Sequence, residues 1–297
     1  MKTTLTVFTP SYNRANTLPA LYASLKKQSR KDFEWLIIDD GSTDNTREVV
    51  EAWIETEKDF PIYCIHKENG GLHTGYNTAI ANMTTELSVC IDSDDMLADG
   101  AVEKIFNIWE KQRGDDIAGI VGLDFAVGGD RIGCELKTGE IINAATLLYL
   151  GGGDKKYVVR NDLLRTVAPM PVYDGEKNFN PHYLIIKLSK NYRFISLNED
   201  LCDVDYQPDG MSANIMRQFI NSPRSFAELR RAIMELGGIM KLSYRYKNAA
   251  HYVSSCMLSR QKRFLASSPD KLITVLAVPA GVVLTLFVKK KVRRMDK

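Results

Sequence analysis

The most chemically suggestive part of the sequence is an acidic cluster, DSDD, at residues 92–95, which places three carboxylates within four positions. It directly follows the apolar run at residues 87–91, which predicts a buried strand. Clustered carboxylates repel one another, and hard oxygen ligands of this kind hold Mg²⁺ or Mn²⁺ in proteins. A cation would relieve the repulsion. Taken alone, however, such a loop is more often a solvated turn.

Two other polar turns also follow predicted strands. The sequence IDDGSTDNT at residues 38–46 places Asp39 and Asp40 at the end of a strand. A desolvated carboxylate needs hydrogen-bond donors, and an imide N–H or a ribose hydroxyl of a ligand would serve; the alternative is that both acids cap the next helix. The sequence TPSYNR at residues 9–14 predicts a turn by itself.

A fourth motif, NGGLHTGYN at residues 69–77, is rich in glycine at the predicted start of a helix. Glycine lets the backbone approach a ligand closely, and the N–H groups of a helix N-terminus suit a phosphate. A single Gly-rich turn is a weak signal.

The elements around these motifs predict an α/β fold with a mostly parallel central sheet. Apolar, β-branched runs alternate with amphipathic stretches, the pattern of βαβ units. The predicted strands are 5–9, 35–38, 62–65, 87–91, 117–123, 156–160 and 192–197, and helices are predicted around 18–25, 49–54, 75–82 and 183–188. Ligands bind at the carboxyl edge of such sheets, so all four motifs converge on one edge.

Composition indicates a folded protein with two different parts. The chain has 297 residues, 44% hydrophobic and 26% charged, which excludes disordered and collagen-like classes. Its five cysteines are scattered without a CxxC pair, which favours a reducing compartment and argues against structural zinc. Residues 1–210 carry a net charge of −11, whereas the predicted helical region 211–297 carries +13. We therefore predict a domain boundary near residue 210.

The basic region ends in an apolar segment, residues 272–288, followed by five Lys or Arg residues. Seventeen helical residues reach only about 25 Å, less than the ~30 Å hydrocarbon core, and Pro279 and Gly281 are expected to interrupt the run. We expect an interfacial or re-entrant anchor at the cytoplasmic face of the cell membrane, because basic residues favour that leaflet. A short tilted span and a buried core helix are the alternatives. Nucleic-acid binding is disfavoured, because the basic region ends in this apolar segment.

In their order and spacing the four motifs resemble those of glycosyltransferase family 2, which has the GT-A fold, a Rossmann-like nucleotide-sugar-binding domain. The resemblance covers residues 3–215. Further matches at residues 174–177 (DGEK) and 206–212 (YQPDGMS) are similar to enzymes that build bacterial surface polysaccharides.

The resemblance implies roles for particular residues. The donor-binding positions would be Pro10, Tyr12, Arg14, Asp40, Gly71, His73, Asn77 and Asp92. The metal, Mn²⁺ or Mg²⁺, would be held by Asp92 and Asp94 of the DxD motif, with Asp95 beside them.

An inverting transfer also needs a general base. Many relatives have an acid where this chain has Asn180, Pro181 and His182. We rank Glu176 first, His182 second and Asp174 third. The sequence thus predicts a metal-dependent glycosyltransferase that uses a nucleoside-diphosphate sugar, with UDP-sugar favoured, and a membrane-associated, lipid-linked glycan acceptor. The alternatives are a noncatalytic nucleotide-sugar-binding or scaffold protein and, less favoured, a nucleotidyltransferase.

Overall fold

The computed structural model describes residues 4–149, 155–205 and 214–295. These residues form two compact units. The first comprises residues 4–70, 74–149, 155–169 and 191–205, and the second comprises 71–73, 170–190 and 214–295. The chain enters the second unit for the last time between residues 205 and 214, near the predicted boundary. The second unit also takes in residues 170–190, which the predicted domain 1–210 includes.

The first unit contains a mixed sheet. Its strands are β1 (Leu5–Ser11), β2 (Phe33–Asp39), β3 (Ile62–His66), β4 (Leu87–Cys90), β5 (Met96–Leu97), β6 (Ile117–Ala126), β7 (Arg131–Ile132), β8 (Ile141–Ile142), β9 (Lys155–Arg160) and β10 (Arg193–Val204). Their order is β3-β2-β1-β4-β9-β6-β10-β5, with β7 on β6 and β8 on β10. Most paired positions are parallel, and β9 is antiparallel to both its neighbours. The predicted α/β class is confirmed.

Six helices accompany the sheet, and the first three match helices that the sequence predicts. They are α1 (Leu18–Lys27), α2 (Thr46–Thr56), α3 (Leu72–Asn82), α4 (Ala101–Gln112), α5 (Ala144–Tyr149) and α6 (Asn161–Val167). Strands β1 and β2 are buried along almost their whole length, as expected of parallel strands covered on both faces. Trp35 and Phe33 of β2 are among the largest fully buried side chains of the core. This core fixes the strand ends that carry the acidic motifs.

The described part of the second unit is helical. It contains α7 (His182–Ser189), α8 (Ile215–Asn221), α9 (Pro223–Met234), α10 (Leu242–Leu258), α11 (Phe264–Ser267) and α12 (Lys271–Met295). The predicted interruption of the apolar segment at Pro279 and Gly281 is wrong, because α12 runs through both residues. Pro279 lies on the exposed side of the helix, and Gly281 lies on the buried side, where a small residue is needed.

Candidate active site

The carboxyl ends of β1 and β2 form one polar edge, because the two strands are parallel neighbours. The turns that follow them are tied together: the backbone N–H of Asn13 donates to Ser42 Oγ at 2.9 Å, and that of Arg14 donates to Thr46 Oγ1 at 3.0 Å. Asn13 has a φ of +53°, and its Oδ1 accepts the backbone N–H of Thr43 at 2.7 Å. The two motifs therefore fold as one polar structure.

Asp39 is bound within this structure. Its carboxylate accepts the backbone N–H of Ser42 at 3.0 Å and lies 2.9 Å from Nδ1 of His66. Burial acts to raise the pKa of Asp39, but the hydrogen bonds from Ser42 and His66 outweigh it, and the pKa lies below its usual value. Asp39 thus stabilises the turn.

Asp40 is buried and connects the edge to the glycine motif. Its Oδ1 accepts the backbone N–H of Gly70 at 3.0 Å and pairs with the ammonium group of Lys67. Lys67 Nζ also donates to Thr74 Oγ1 at 2.9 Å. The sequence did not by itself identify Lys67. The feature that could have revealed it is a lysine directly after the third strand, at the same edge of the sheet.

The other predicted donor-binding residues of the first unit are Pro10, Tyr12, Arg14 and Asn77. Tyr12 exposes 46% of its surface, which leaves its ring open to a ligand. Pro10 packs on α3 so closely that a Cβ at position 75 would lie 3.1 Å from the Pro10 Cβ, which explains Gly75. Arg14 and Asn77 are partly buried.

Gly71 and His73 lie in the second unit. Gly71 has a φ of +90°, and any Cβ there would overlap the carbonyl of Lys177. His73 is fully buried, with its ring 6.1 Å from that of Phe179. The role of these two residues at a diphosphate stays a prediction.

The acidic cluster after β4 is divided between surface and interior. Asp92 is exposed and Asp94 is partly buried, whereas Asp95 is buried. Burial, and next the charge of Asp92, raises the pKa of Asp94, while the charge of Arg14 acts to lower it. Asp92 and Asp94 therefore form a pair of mutually repelling carboxylates beside a basic side chain.

Asp95 belongs to a buried network that the sequence analysis missed. Its Oδ2 lies 3.8 Å from Lys156 Nζ on β9, and its Oδ1 accepts the backbone N–H of Asp205 at 3.2 Å. Lys156 also lies 3.8 Å from Asp124 Oδ1 on β6. Burial acts to lower the pKa of Lys156, but the surrounding acidic groups, with Cys202 contributing most, hold it above its usual value. Lys156 thus stays charged between two buried acidic side chains, of which Asp95 has its pKa raised by burial to about 7.

The signal for Lys156 in the sequence was its position two residues before the buried Val158, on the same face of a strand. Its partners on β6 and after β4 are distant in sequence and could not be identified from it.

The donor set fits a divalent cation that shares its coordination with a ligand. Among residues 4–149, 155–205 and 214–295, no group of three or more His, Cys, Asp or Glu side chains converges as a metal site. Magnesium is commonly bound by one or two carboxylates and completes its shell with substrate phosphates and water. The pair Asp92 and Asp94 matches that requirement.

The three candidates for the base lie in the second unit. Both carboxylate oxygens of Glu176 accept hydrogen bonds from the start of α9: Arg224 N–H at 2.9 Å, Ser225 N–H at 2.8 Å and Ser225 O–H at 2.7 Å. Glu176 therefore caps α9, a structural role that its sequence position did not reveal. Asp174 is exposed, in a turn where Gly175 has a φ of +75°.

His182 is the first residue of α7. Burial, and next the charge of Arg230, lowers the pKa of His182 to about 4, so the ring is neutral at pH 7. The YQPDGMS segment at residues 206–212, which contributed to the resemblance, lies outside the described residues.

The fold defines an α/β domain with an acidic edge at the carboxyl ends of its strands. Residues 6–148 match the model of glycosyl transferase family 2, and the resemblance inferred from the sequence is confirmed.

Curated relatives include two glycosyltransferases of Streptococcus pneumoniae serotype 4. GlyA is 34% identical over 102 residues, which is 34% of this chain and 14% of GlyA. GlyG is 28% identical over 120 residues, which is 40% of this chain and 39% of GlyG. The matched region is thus a minor part of both relatives.

Solved structures show the same fold. Residues 1–349 of S. aureus TarS, in complex with UDP, align with a TM-score of 0.61 and 17% identity over 98% of this chain and 91% of that one. The mannosyltransferase PcManGT from Pyrobaculum calidifontis, in complex with GDP-Man and Mn²⁺, aligns with a TM-score of 0.56 and 16% identity over 95% and 86%. The expected GT-A architecture is confirmed.

Proposed function

We propose that this protein is a metal-dependent, inverting glycosyltransferase that transfers a sugar from a nucleoside-diphosphate sugar, with UDP-sugar favoured. The acceptor is a membrane-associated, lipid-linked glycan in cell-surface polysaccharide assembly. The observation that carries the proposal is the pair Asp92 and Asp94 at an acidic strand-end edge, within a glycosyl transferase family 2 domain. The UDP and GDP-Man complexes of the structural neighbours support this donor class.

The donor would be held by groups that suit its separate parts. The exposed ring of Tyr12 offers a face for the nucleobase of the donor. The acidic edge at Asp40 offers a hydrogen-bond acceptor for the N–H groups of that nucleobase. Lys67, bound to Asp40, and Arg14 bring positive charge toward the diphosphate.

Asp92 and Asp94 would hold Mn²⁺ or Mg²⁺, which when bound supplies Lewis-acid stabilisation of the charge on the leaving diphosphate. In the transfer itself, the acceptor hydroxyl oxygen bonds to the anomeric carbon from the face opposite the diphosphate. The bond from that carbon to the diphosphate oxygen breaks, and the hydroxyl proton passes to the base.

Asp174 is the base that we propose. Glu176 already uses both oxygens to cap α9, and His182 is partly buried at the start of α7. Asp174, in contrast, is an exposed carboxylate. Asp174→Asn should reduce kcat and leave thermal stability unchanged, whereas the main effect of Glu176→Gln should be a lower thermal stability. Equal kcat for Asp174→Asn and the unmodified protein would reject this assignment.

The central test is release of UDP from UDP-sugars by the full chain, in the presence of lipid-linked acceptors and Mn²⁺. Asp94→Asn should lower turnover at least 100-fold. Asp99→Asn, an exposed acid five residues further on, is the matched control and should retain turnover. Full activity of Asp94→Asn would contradict the proposed metal site.

A noncatalytic nucleotide-sugar-binding or scaffold protein is the second candidate. It is favoured by the capping role of Glu176 and the low pKa of His182, which leave fewer groups able to accept a proton. This candidate predicts that the protein binds the donor but transfers its sugar to no acceptor.

A further inference from the structure

Helix α12 buries small side chains and exposes large apolar ones. Its buried face consists largely of small residues at intervals of four, Ala277, Gly281 and Thr285, all buried. Ile273 and Val288 are also buried, but six large apolar residues point outward and are between 51% and 72% exposed: Leu272, Val275, Leu276, Val283, Leu286 and Phe287. A soluble amphipathic helix does the reverse and buries its large side chains.

The small face is needed for close contact with α10. A Cβ at Gly281 would lie 2.5 Å from Val253 Cγ1 and 3.1 Å from the Ala250 carbonyl oxygen. Thr285 Oγ1 donates to Ser254 Oγ at 3.0 Å. Small residues spaced by four bring helix backbones together when the outer faces contact lipid rather than water.

The outer face continues into positive charge. Lys289, Lys290, Lys291, Arg293 and Arg294 are all exposed, and residues 271–295 contain no acidic side chain. An apolar face that is flanked by basic residues is complementary to an anionic lipid surface, which offers acyl chains below a layer of phosphates.

The packing also decides between a helix that spans and one that lies in the surface. Among the described residues, α12 is the one helix long and apolar enough to cross a membrane by length and composition. It lies along α10, however, from the Arg245–Asp270 ion pair to the Thr285–Ser254 hydrogen bond. Helix α10 carries Arg245, Lys247 and Asn248, whose transfer into hydrocarbon would be costly.

We propose that the exposed apolar face of α12, together with its basic end, docks the second unit in the plane of an anionic phospholipid bilayer. The helix does not cross the bilayer. Its outer residues enter the boundary between headgroups and acyl chains while α10 covers the opposite face. The docking surface and the proposed donor site consist of different residues, so either proposal can fail while the other holds.

Sedimentation of the full chain with vesicles tests the docking. The protein should bind vesicles of phosphatidylglycerol and phosphatidylcholine at least tenfold more tightly than vesicles of phosphatidylcholine alone. The variant Leu276→Ser/Leu286→Ser/Phe287→Ser should lose at least tenfold in binding. Lys290→Gln/Arg294→Gln should lose the preference for anionic vesicles. Tyr63→Ser removes an exposed aromatic residue of the first unit and should bind like the unmodified protein.

Circular dichroism and a cooperative thermal unfolding transition of each variant show that it is folded. Failure of the folded, unmodified protein to bind anionic vesicles would overturn the proposal. So would a concentration-dependent dimer in sedimentation equilibrium that the triple serine variant abolishes, since a second copy would then cover this face.

Depth measurements test the in-plane orientation. In Leu272→Trp and Val283→Trp, brominated lipids should quench both introduced tryptophans to the same shallow depth. These positions are 11 residues, or about 16 Å, apart along the helix axis. Clearly different depths would show a spanning helix and overturn the in-plane proposal.

Discussion

The strand-end edge of the first unit and the α10–α12 pair of the second depart from the usual distribution of side chains in opposite ways. The first buries charge: Asp40 pairs with Lys67, and Lys156 lies between Asp95 and Asp124. The second buries small residues and exposes large apolar ones. Buried charge is retained where it is paired, and exposed apolar surface is retained where an apolar partner covers it. The first departure is thus satisfied inside the protein by ion pairs, whereas the second fits the membrane surface that we propose as its partner.

The largest effect that we predict comes from breaking the buried charges of the first unit. Lys156→Met leaves Asp95 and Asp124 without their cation and should lower the free energy of unfolding by about 3–5 kcal/mol in urea titrations. The exposed Lys111→Met is the control and should change it by less than about 0.5 kcal/mol.

The double variant Lys156→Met/Asp95→Asn should recover part of that loss, because it removes one of the two buried carboxylates that lie beside Lys156. If the losses of stability in Lys156→Met and Asp95→Asn simply add, Lys156 and Asp95 are not energetically coupled, and their assignment to one buried network is wrong.

A smaller effect is expected from the small-residue face of α12. Gly281→Ala should lower the free energy of unfolding by about 1–3 kcal/mol, because its Cβ would lie too close to Val253. This cost should exceed the roughly 1 kcal/mol that alanine gains as a better helix former. Val283→Ala, on the exposed face, should be nearly neutral. A stabilising Gly281→Ala would show that α12 and α10 are not closely packed.

The remaining effect is a dependence of stability on pH. The pKa of His182 is lowered in the folded protein, so the unfolded chain binds more protons between pH 6.5 and about 4. The contribution of His182 to the free energy of unfolding should therefore fall as the pH falls below 6.5, by up to about 1.4 kcal/mol per pH unit, whereas the raised pKa values of Asp95, about 7, and Asp200, about 6, act in the opposite direction. The pKa of His251 is also lowered to about 4, and this residue adds a similar contribution.

In urea titrations at pH 7, 6 and 5, His182→Asn should reduce the fall of the free energy of unfolding with falling pH, and His251→Asn should do the same. An unchanged slope in His182→Asn would mean that the ring titrates equally in the folded and unfolded chain.

The sequence predicted the first unit well where local patterns suffice. The strands β1 to β4 begin and end within two residues of their predicted limits, because apolar β-branched runs bounded by polar turns are a local signal. It did not predict the roles of Lys67 and Lys156, since a charge pair such as Lys156 with Asp95 joins residues from distant strands. The capping role of Glu176 was hidden for the same reason.

The prediction for the second unit was weaker. The helical, basic character was correct for the described residues, but the interruption at Pro279 and Gly281 was not. Helix propensity is a local property, whereas the continuity of α12 depends on its packing against α10. The pattern of small residues at intervals of four was visible in the sequence, although only the structure shows which face they occupy.

The most direct test of the central claim is thermal unfolding of the purified chain with UDP, GDP, CDP or dTDP, each with Mn²⁺ or with EDTA. A ligand that binds only the folded state raises its stability. We predict that UDP with Mn²⁺ raises Tm, that the other nucleotides raise it less, and that EDTA removes the shift. No shift with any nucleotide in folded protein, or an equal shift in EDTA, would contradict a metal-dependent nucleotide site at the strand-end edge.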